Sequence, residues 1–252
     1  MNMSCSGLAG ARPSISFVGE PLKRNIRFLP ISMTYTDEQT QLDKARADID
    51  AGNCEVAIPV LLPLAESGNK QAQFLLGYMI FTDCEYPFAD SVARDWLVKA
   101  KEQGHADACY YLARFPNAQG ISCIDDKESM NLLIEAGERG SVVAQRELGA
   151  CFATGDWIGE KDEAKAIEWY TVAAEQGHAE SQYDLGFMLL LGEGTDKNTL
   201  KGMEWLIKAA EQGNDSACGL LADIYDEGLF DVARNEEKAK HWKEMCSTGG
   251  EV

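Results

Sequence analysis

Apolar residues return every three or four positions along most of this chain, most clearly in Ala166-Ile-Glu-Trp-Tyr-Thr-Val-Ala-Ala-Glu-Gln-Gly177. That is the period of an amphipathic helix with one buried face. Gly177 then ends the helix, because glycine adopts the left-handed conformation of a helix terminus without steric cost. From His178 to about Leu191 the period resumes and predicts a second helix. Its small residues on one face admit a close neighbour, while Leu185 fills the seam.

The pattern recurs along the chain. Helix-ending glycines stand at Gly68, Gly104, Gly140, Gly177 and Gly213, spaced by 36, 36, 37 and 36 residues, with Gly249 or Gly250 as a sixth. Four residues after each of the first five comes Ala72, Ala108, Ala144, Ser181 or Ala217. Nine residues after comes Gly77, Ala113, Gly149, Gly186 or Ala222, preceded each time by leucine: Leu76, Leu112, Leu148, Leu185 and Leu221. Columns that coincide at one period specify stacked units, none of which can bury its apolar face alone. The predicted fold is all-α, a right-handed α/α superhelical solenoid of about six helix-turn-helix repeats. The units cover approximately 37–68, 69–104, 105–140, 141–177, 178–213 and 214–250. Trp96, Trp169, Trp205 and Trp242, with Leu132 in a weaker unit, are expected to fill the seams. Residues 1–34 show no helical period and hold Arg12, Lys23, Arg24 and Arg27 against one acid, Glu20. They read as a flexible or weakly ordered tail ahead of a solenoid over 35–250.

The segments Glu102-Gln-Gly-His-Ala-Asp-Ala108, Glu175-Gln-Gly-His-Ala-Glu-Ser-Gln-Tyr-Asp-Leu-Gly186 and Glu211-Gln-Gly-Asn-Asp-Ser-Ala217 resemble the SEL-one-like repeat (SLR), a relative of the tetratricopeptide repeat (TPR). The resemblance runs from about Asp37 to Gly250. It implies a TPR-like scaffold or adaptor, since similar proteins serve mostly in signalling, secretion-system and host-contact settings. Three departures stand out. The first hairpin contains Pro59 and Pro63, as an N-terminal cap might be built. The unit after Gly104 breaks at Pro116. The loop Thr82–Ala89, with Tyr86 and Phe88, lacks the expected glycine. Such loops are either binding elements or drift.

In TPR-like superhelices the helix after the glycine lines the concave side. The inward places, six and ten residues after each glycine, hold Phe74 and Tyr78, Tyr110 and Arg114, Arg146 and Ala150, Tyr183 and Phe187, then Gly219 and Asp223. Aromatics and arginine are the residues that anchor protein interfaces. The candidate groove is therefore Phe74, Tyr78, Tyr110, Arg114, Arg146, Tyr183 and Phe187. The alternative is that these aromatics pack between hairpins.

Charge narrows the partners. The formal net charge is −18, from 41 acidic and 23 basic residues. Such a field repels a phosphate backbone and disfavours nucleic acid. It attracts a protein or peptide with a basic surface, or simply keeps the chain soluble. No apolar run approaches the roughly 20 residues that cross a bilayer, so no membrane insertion is expected. No secretory signal is recognisable, which favours a cytoplasmic location, with a secreted or periplasmic one as the alternative.

Chemistry is sparse. Of the three histidines, His105 and His178 hold the same repeat position after the glycine. No HExxH, GxSxG, Walker or GxGxxG pattern occurs, and no cofactor or metal is expected. Ser67-Gly-Asn-Lys70 matches SxxK but spans an inter-helix turn. The eight cysteines include no CxxC. The cysteines read as small buried thiols in a reducing compartment; the alternative is a Cys218–Cys246 disulfide, implied by resemblance to cysteine-rich secreted relatives, which carry a cysteine five residues after the glycine paired with one near the end of the hairpin. The expected function is a non-enzymatic interaction scaffold, as an adaptor, regulator or toxin-immunity protein. A secreted host-interaction protein and an enzyme acting on β-lactam or cell-wall substrates are the alternatives.

Overall fold

The computed structural model describes residues 35–82, 89–114, 127–156 and 159–248. The N-terminal tail, Tyr86, Phe88 and Pro116 lie outside the described residues. Among those described, twelve α-helices follow one another without a strand: α1 (Tyr35–Asp50), α2 (Cys54–Glu66), α3 (Lys70–Thr82), α4 (Ala89–Glu102), α5 (Ala106–Ala113), α6 (Lys127–Glu138), α7 (Val142–Thr154), α8 (Glu163–Glu175), α9 (Ala179–Leu191), α10 (Thr199–Glu211), α11 (Asp215–Glu227) and α12 (Glu236–Thr248). The architecture is an α/α superhelical solenoid.

One residue joins each pair of successive units. Gly104 turns left-handed at φ 80°, and the next N–H, of His105, reaches back to the Ala100 carbonyl at 3.0 Å. This six-to-one bond satisfies a carbonyl that the helix end leaves open. Asn69, Ser141, His178 and Asn214 make the same bond to Leu64, Ala136, Ala173 and Ala209. Four of these residues also cap the following helix. Asn69 Oδ1, Ser141 Oγ, His178 Nδ1 and Asn214 Oδ1 each accept a backbone N–H of its first turn. The recurrent histidine position is thus a helix junction. His105 departs from it: its Nε2 lies 3.0 Å from Gln71 Oε1 and its ring stacks on Phe74 at 4.2 Å.

Small residues set the spacing within a hairpin. A Cβ added at Gly149 would stand 2.6 Å from the Tyr170 ring, and one at Gly186 would stand 2.9 Å from the Gly202 carbonyl oxygen. Three of the four predicted tryptophans are not the buried seam residues. Leu97, Leu133, Tyr170 and Leu206 are buried, whereas Trp96, Trp169 and Trp205 are half-buried on the flank. The reason is helical phase: Ala93, Leu97 and Ala100 form the inward line, and Trp96 lies one residue, about 100° of rotation, away from Leu97. Lysine covers the outer ring faces, with Lys99 Nζ 4.1 Å above Trp96 and Lys208 Nζ 4.0 Å above Trp205. In α12 the order reverses. Trp242 is buried, and its neighbour Lys243 pairs with Asp226 at 2.6 Å.

A buried glutamine column ties unit to unit. Gln73, Gln145 and Gln182 donate to the carbonyls of Ala65, Gly137 and Ala174 of the preceding unit and accept from Gln103, Gln176 and Gln212 at the end of their own unit. Two units put cysteine at this place. The Cys109 thiol meets Arg139 Nη1 at 3.8 Å, and Cys218 donates to the Ala210 carbonyl oxygen at 3.8 Å. Cys218 and Cys246 are neighbouring free thiols. Burial first, then Cys246, pushes the Cys218 thiol up to about 11.

Each helix packs chiefly on its neighbours in sequence, so the molecule is built from nearest-neighbour interfaces. Across hairpins, among the described residues, α1 also reaches α3, α3 reaches α5, and α5 reaches α7, while no two second helices come as close. The closer row is the shorter side of a curved stack, so over α1–α7 the first helices form its inner wall, and Arg146 of α7 reaching Asp184 carries the row on to α9.

Candidate functional site

The inner wall is written in the register of the first helices. Residues six and ten places after a closing glycine on one helix face those three and seven places after the glycine on the next. This rule brings together Tyr110, Arg114 and Glu147. The Tyr110 hydroxyl donates to Glu147 Oε2 at 2.8 Å, and Arg114 Nη1 donates to both carboxylate oxygens at 2.8 and 2.9 Å. The Arg114 guanidinium also lies 5.6 Å from the Tyr110 ring centre. Burial, then the Glu147 charge and its hydrogen bond, raise the Tyr110 phenol far above its ordinary range.

One unit on, Arg146 Nε meets Asp184 Oδ2 at 3.3 Å and Nη1 meets Glu180 Oε2 at 3.4 Å. Burial holds the Asp184 carboxyl above the usual carboxylate range despite Arg146. At the following joint Tyr183 and Phe187 stack at 6.2 Å, both half-buried.

At the N-terminal end, Phe74 is only 3% exposed and forms the floor of a cleft rather than projecting into a groove. Its face is covered by His105, and Tyr111 packs beside it at 5.8 Å. Tyr78 stands over Tyr111 at 5.1 Å, with Arg46 from α1 5.6 Å from the Tyr78 ring. The cleft measures 230 Å³ and is completed by Asp107, Val142 and Val143. Burial, then Tyr78 and Asp107, push the Tyr111 phenol up to about 12. A larger hollow of 430 Å³ lies off this wall, between α7 and α8, around Phe152 and Glu160–Glu163. Its charges pair among themselves, Lys161 with Glu163 at 2.6 Å and Lys165 with Asp162 at 3.0 Å.

Of the seven residues expected to line a groove, six are half-buried on the inner wall and Phe74 is in the core. The structure adds Arg46, Tyr111, Glu147 and Asp184. The last three share the place seven residues after the glycine, a column that carries two acids and a tyrosine in consecutive units. That column was the signal that could have found them. The wall offers rings, phenols and partly exposed ion pairs, which suit recognition of a polypeptide surface. Among the described residues no group of three or more His, Cys, Asp or Glu is placed to hold a metal ion.

The Sel1 repeat family model matches residues 70–105, 142–178, 179–214 and 215–244, more than half of the chain. A curated relative, the Sel1-repeat-containing protein YjcO of Escherichia coli K12, is 27% identical over 197 residues, 75% of this chain and 82% of that protein. Among solved structures, a Sel1 repeat protein from Oxalobacter formigenes is similar at TM-score 0.64 and 28% identity, covering 85% of this chain and 88% of its own. The protective antigen c5321 of uropathogenic Escherichia coli, which displays an SLR fold, is similar at TM-score 0.67 and 33% identity, covering 84% of this chain and 46% of its own. The immunity protein PA5088 from Pseudomonas aeruginosa shares the fold at TM-score 0.58 and 20% identity, covering 83% of this chain and 81% of its own.

Proposed function

Because this chain belongs to the Sel1-repeat family, we propose that it is a protein-interaction scaffold that holds a partner protein or peptide on the inner wall of its first helices. The observation that carries this reading is the wall itself. Consecutive units present Tyr78, Tyr111, Tyr110, Arg114, Arg146, Tyr183 and Phe187 along one side, all half-buried. Half-burial keeps an aromatic ring ordered and leaves a face for a guest, which lowers the entropy cost of binding. The net charge of −18 selects partners with basic surfaces and speeds their encounter. No described helix is long and apolar enough to cross a membrane. The wall is compatible with an adaptor, a regulator and a toxin-immunity protein alike, and the identity of the partner separates them.

Affinity capture from a lysate of the source organism, read by mass spectrometry, tests the proposal. Tyr110→Ala combined with Tyr183→Ala is expected to lose the partner while the helical circular dichroism persists. Val92→Asp with Val172→Asp, on exposed sides of α4 and α8, is expected to keep it. The opposite pattern would place the interface on the outer helices and end this reading.

A further inference from the structure

Resting on that scaffold reading, we infer that the Tyr183–Phe187 shelf, at the joint between α9 and α11, is the docking point for an arginine projected by the partner. The argument starts from the joints that precede it. At α5–α7 an arginine, Arg114, is held by a carboxylate of the next helix and lies against a tyrosine. At α7–α9 Arg146 is held by Asp184 and Glu180. At α3–α5 the aromatic cluster receives its guanidinium from Arg46. At α9–α11 the same register places hold Tyr183 and Phe187 on one helix and Ser216 and Leu220 on the other, and among the described residues no cation stacks on either ring. Among the described residues the joint has the aromatic half of the arrangement and not the cationic half.

The surroundings complete the case. Helices α9 and α11 together carry six carboxylates and no lysine or arginine. The cations that the carboxylates of these helices hold are already engaged: Arg146 by Glu180 and Asp184, and Lys243, which also feels Asp223, by Asp226 at 2.6 Å. Asp223, at the tenth place on α11, is exposed. At the sixth place on α11 stands Gly219, where an added Cβ would meet nothing within 4 Å, so the wall is open beside the shelf. An arginine suits this place better than a lysine. Its planar, weakly hydrated guanidinium stacks on a ring while its edge still reaches a carboxylate. The occupant is therefore a partner segment that presents arginine, drawn in by the acidic end of the wall.

Fluorescence anisotropy on the full chain tests this, with a fluorescein-labelled alanine-glutamine peptide carrying arginines and its counterpart in which citrulline replaces each arginine. The arginine peptide is expected to bind and the citrulline peptide to bind at least about tenfold more weakly, since citrulline keeps the shape and loses the charge. Tyr183→Leu with Phe187→Leu keeps the apolar contacts and removes the rings, and is expected to weaken the arginine peptide about tenfold. Glu204→Gln, on the outer helix α10, removes one charge and is expected to leave binding within about twofold. Phe187→Arg supplies the guanidinium from the chain itself, as Arg114 does for Tyr110, and is expected to abolish binding in a protein that still melts cooperatively. Binding that survives loss of both rings or survives Phe187→Arg, or no binding to the unaltered chain, overturns the inference. A natural partner captured by the unaltered chain, retained by the leucine variant and lost on Tyr78→Ala with Tyr110→Ala would sink the shelf and leave the scaffold standing.

Discussion

Two stretches of the inner wall use one register for different ends. In α3, α5 and α7 the aromatic and arginine places are answered from within the chain: Arg46 lies against Tyr78, Glu147 receives both Tyr110 and Arg114, and Phe74 is sealed under His105. In α9 and α11 the rings of Tyr183 and Phe187 stack on each other with no cation over them among the described residues, and every charged side chain on those helices is acidic. The first stretch uses its polar groups to bind unit to unit. In the second, Asp184 and Glu180 hold Arg146, but among the described residues no cation reaches the rings. A residue type in the right register therefore does not by itself leave a group open; what matters is whether the adjacent unit already satisfies it.

The largest effect that separates the two stretches comes from the leucine column beneath them. Leu148 and Leu221 are both fully buried at the same repeat place, eight residues after the glycine. Leu148→Ala is expected to cost about 3–5 kcal/mol in urea denaturation, because units on both sides resist collapse into the cavity. Leu221→Ala, in the last described pair, is expected near 2–3 kcal/mol because fewer neighbours hold the gap open. Equal losses would show that the end of the stack is as tightly packed as its middle.

A smaller difference is expected from the carboxylates. Glu147→Ala strands the Tyr110 hydroxyl and the Arg114 guanidinium together and is expected to cost about 1–3 kcal/mol. Asp223→Ala, on the exposed end of the wall, is expected to change stability by less than about 0.5 kcal/mol. A costly Asp223→Ala would mean that this carboxylate serves cohesion and not recognition.

The smallest effect concerns pH. Burial, opposed by Asp107 and aided by Lys70, lowers the pKa of His105 below the ordinary 6.5. The folded state thus binds fewer protons than the unfolded chain near and below that value, so His105 contributes stability that is present above pH 6.5 and lost as pH falls. His105→Gln is expected to flatten the acid side of the melting-temperature profile. An unchanged slope would assign the acid sensitivity elsewhere.

The hairpins, their glycine junctions and the family were legible in the chain because each depends on residues a few positions apart. The 3.6-residue period and the left-handed glycine act locally and repeat, so coincidence of columns exposes them. The half-buried places of six of the seven candidate residues were legible for the same reason: register alone puts them on the first helices. Phe74 was not, because its burial depends on His105, which comes from the next unit.

Two matters waited for the assembled stack. One was which of Trp96 and Leu97 enters the seam: a single residue step is about 100° around a helix, and only the direction of the neighbouring helix decides it. The other was the partner of each polar wall residue. Arg114 and Glu147 are 33 residues apart, and Arg146 and Asp184 are 38. No local rule connects such residues; they meet because one unit is stacked on the next, and among the described residues the same stacking brings no cation over Tyr183 or Phe187.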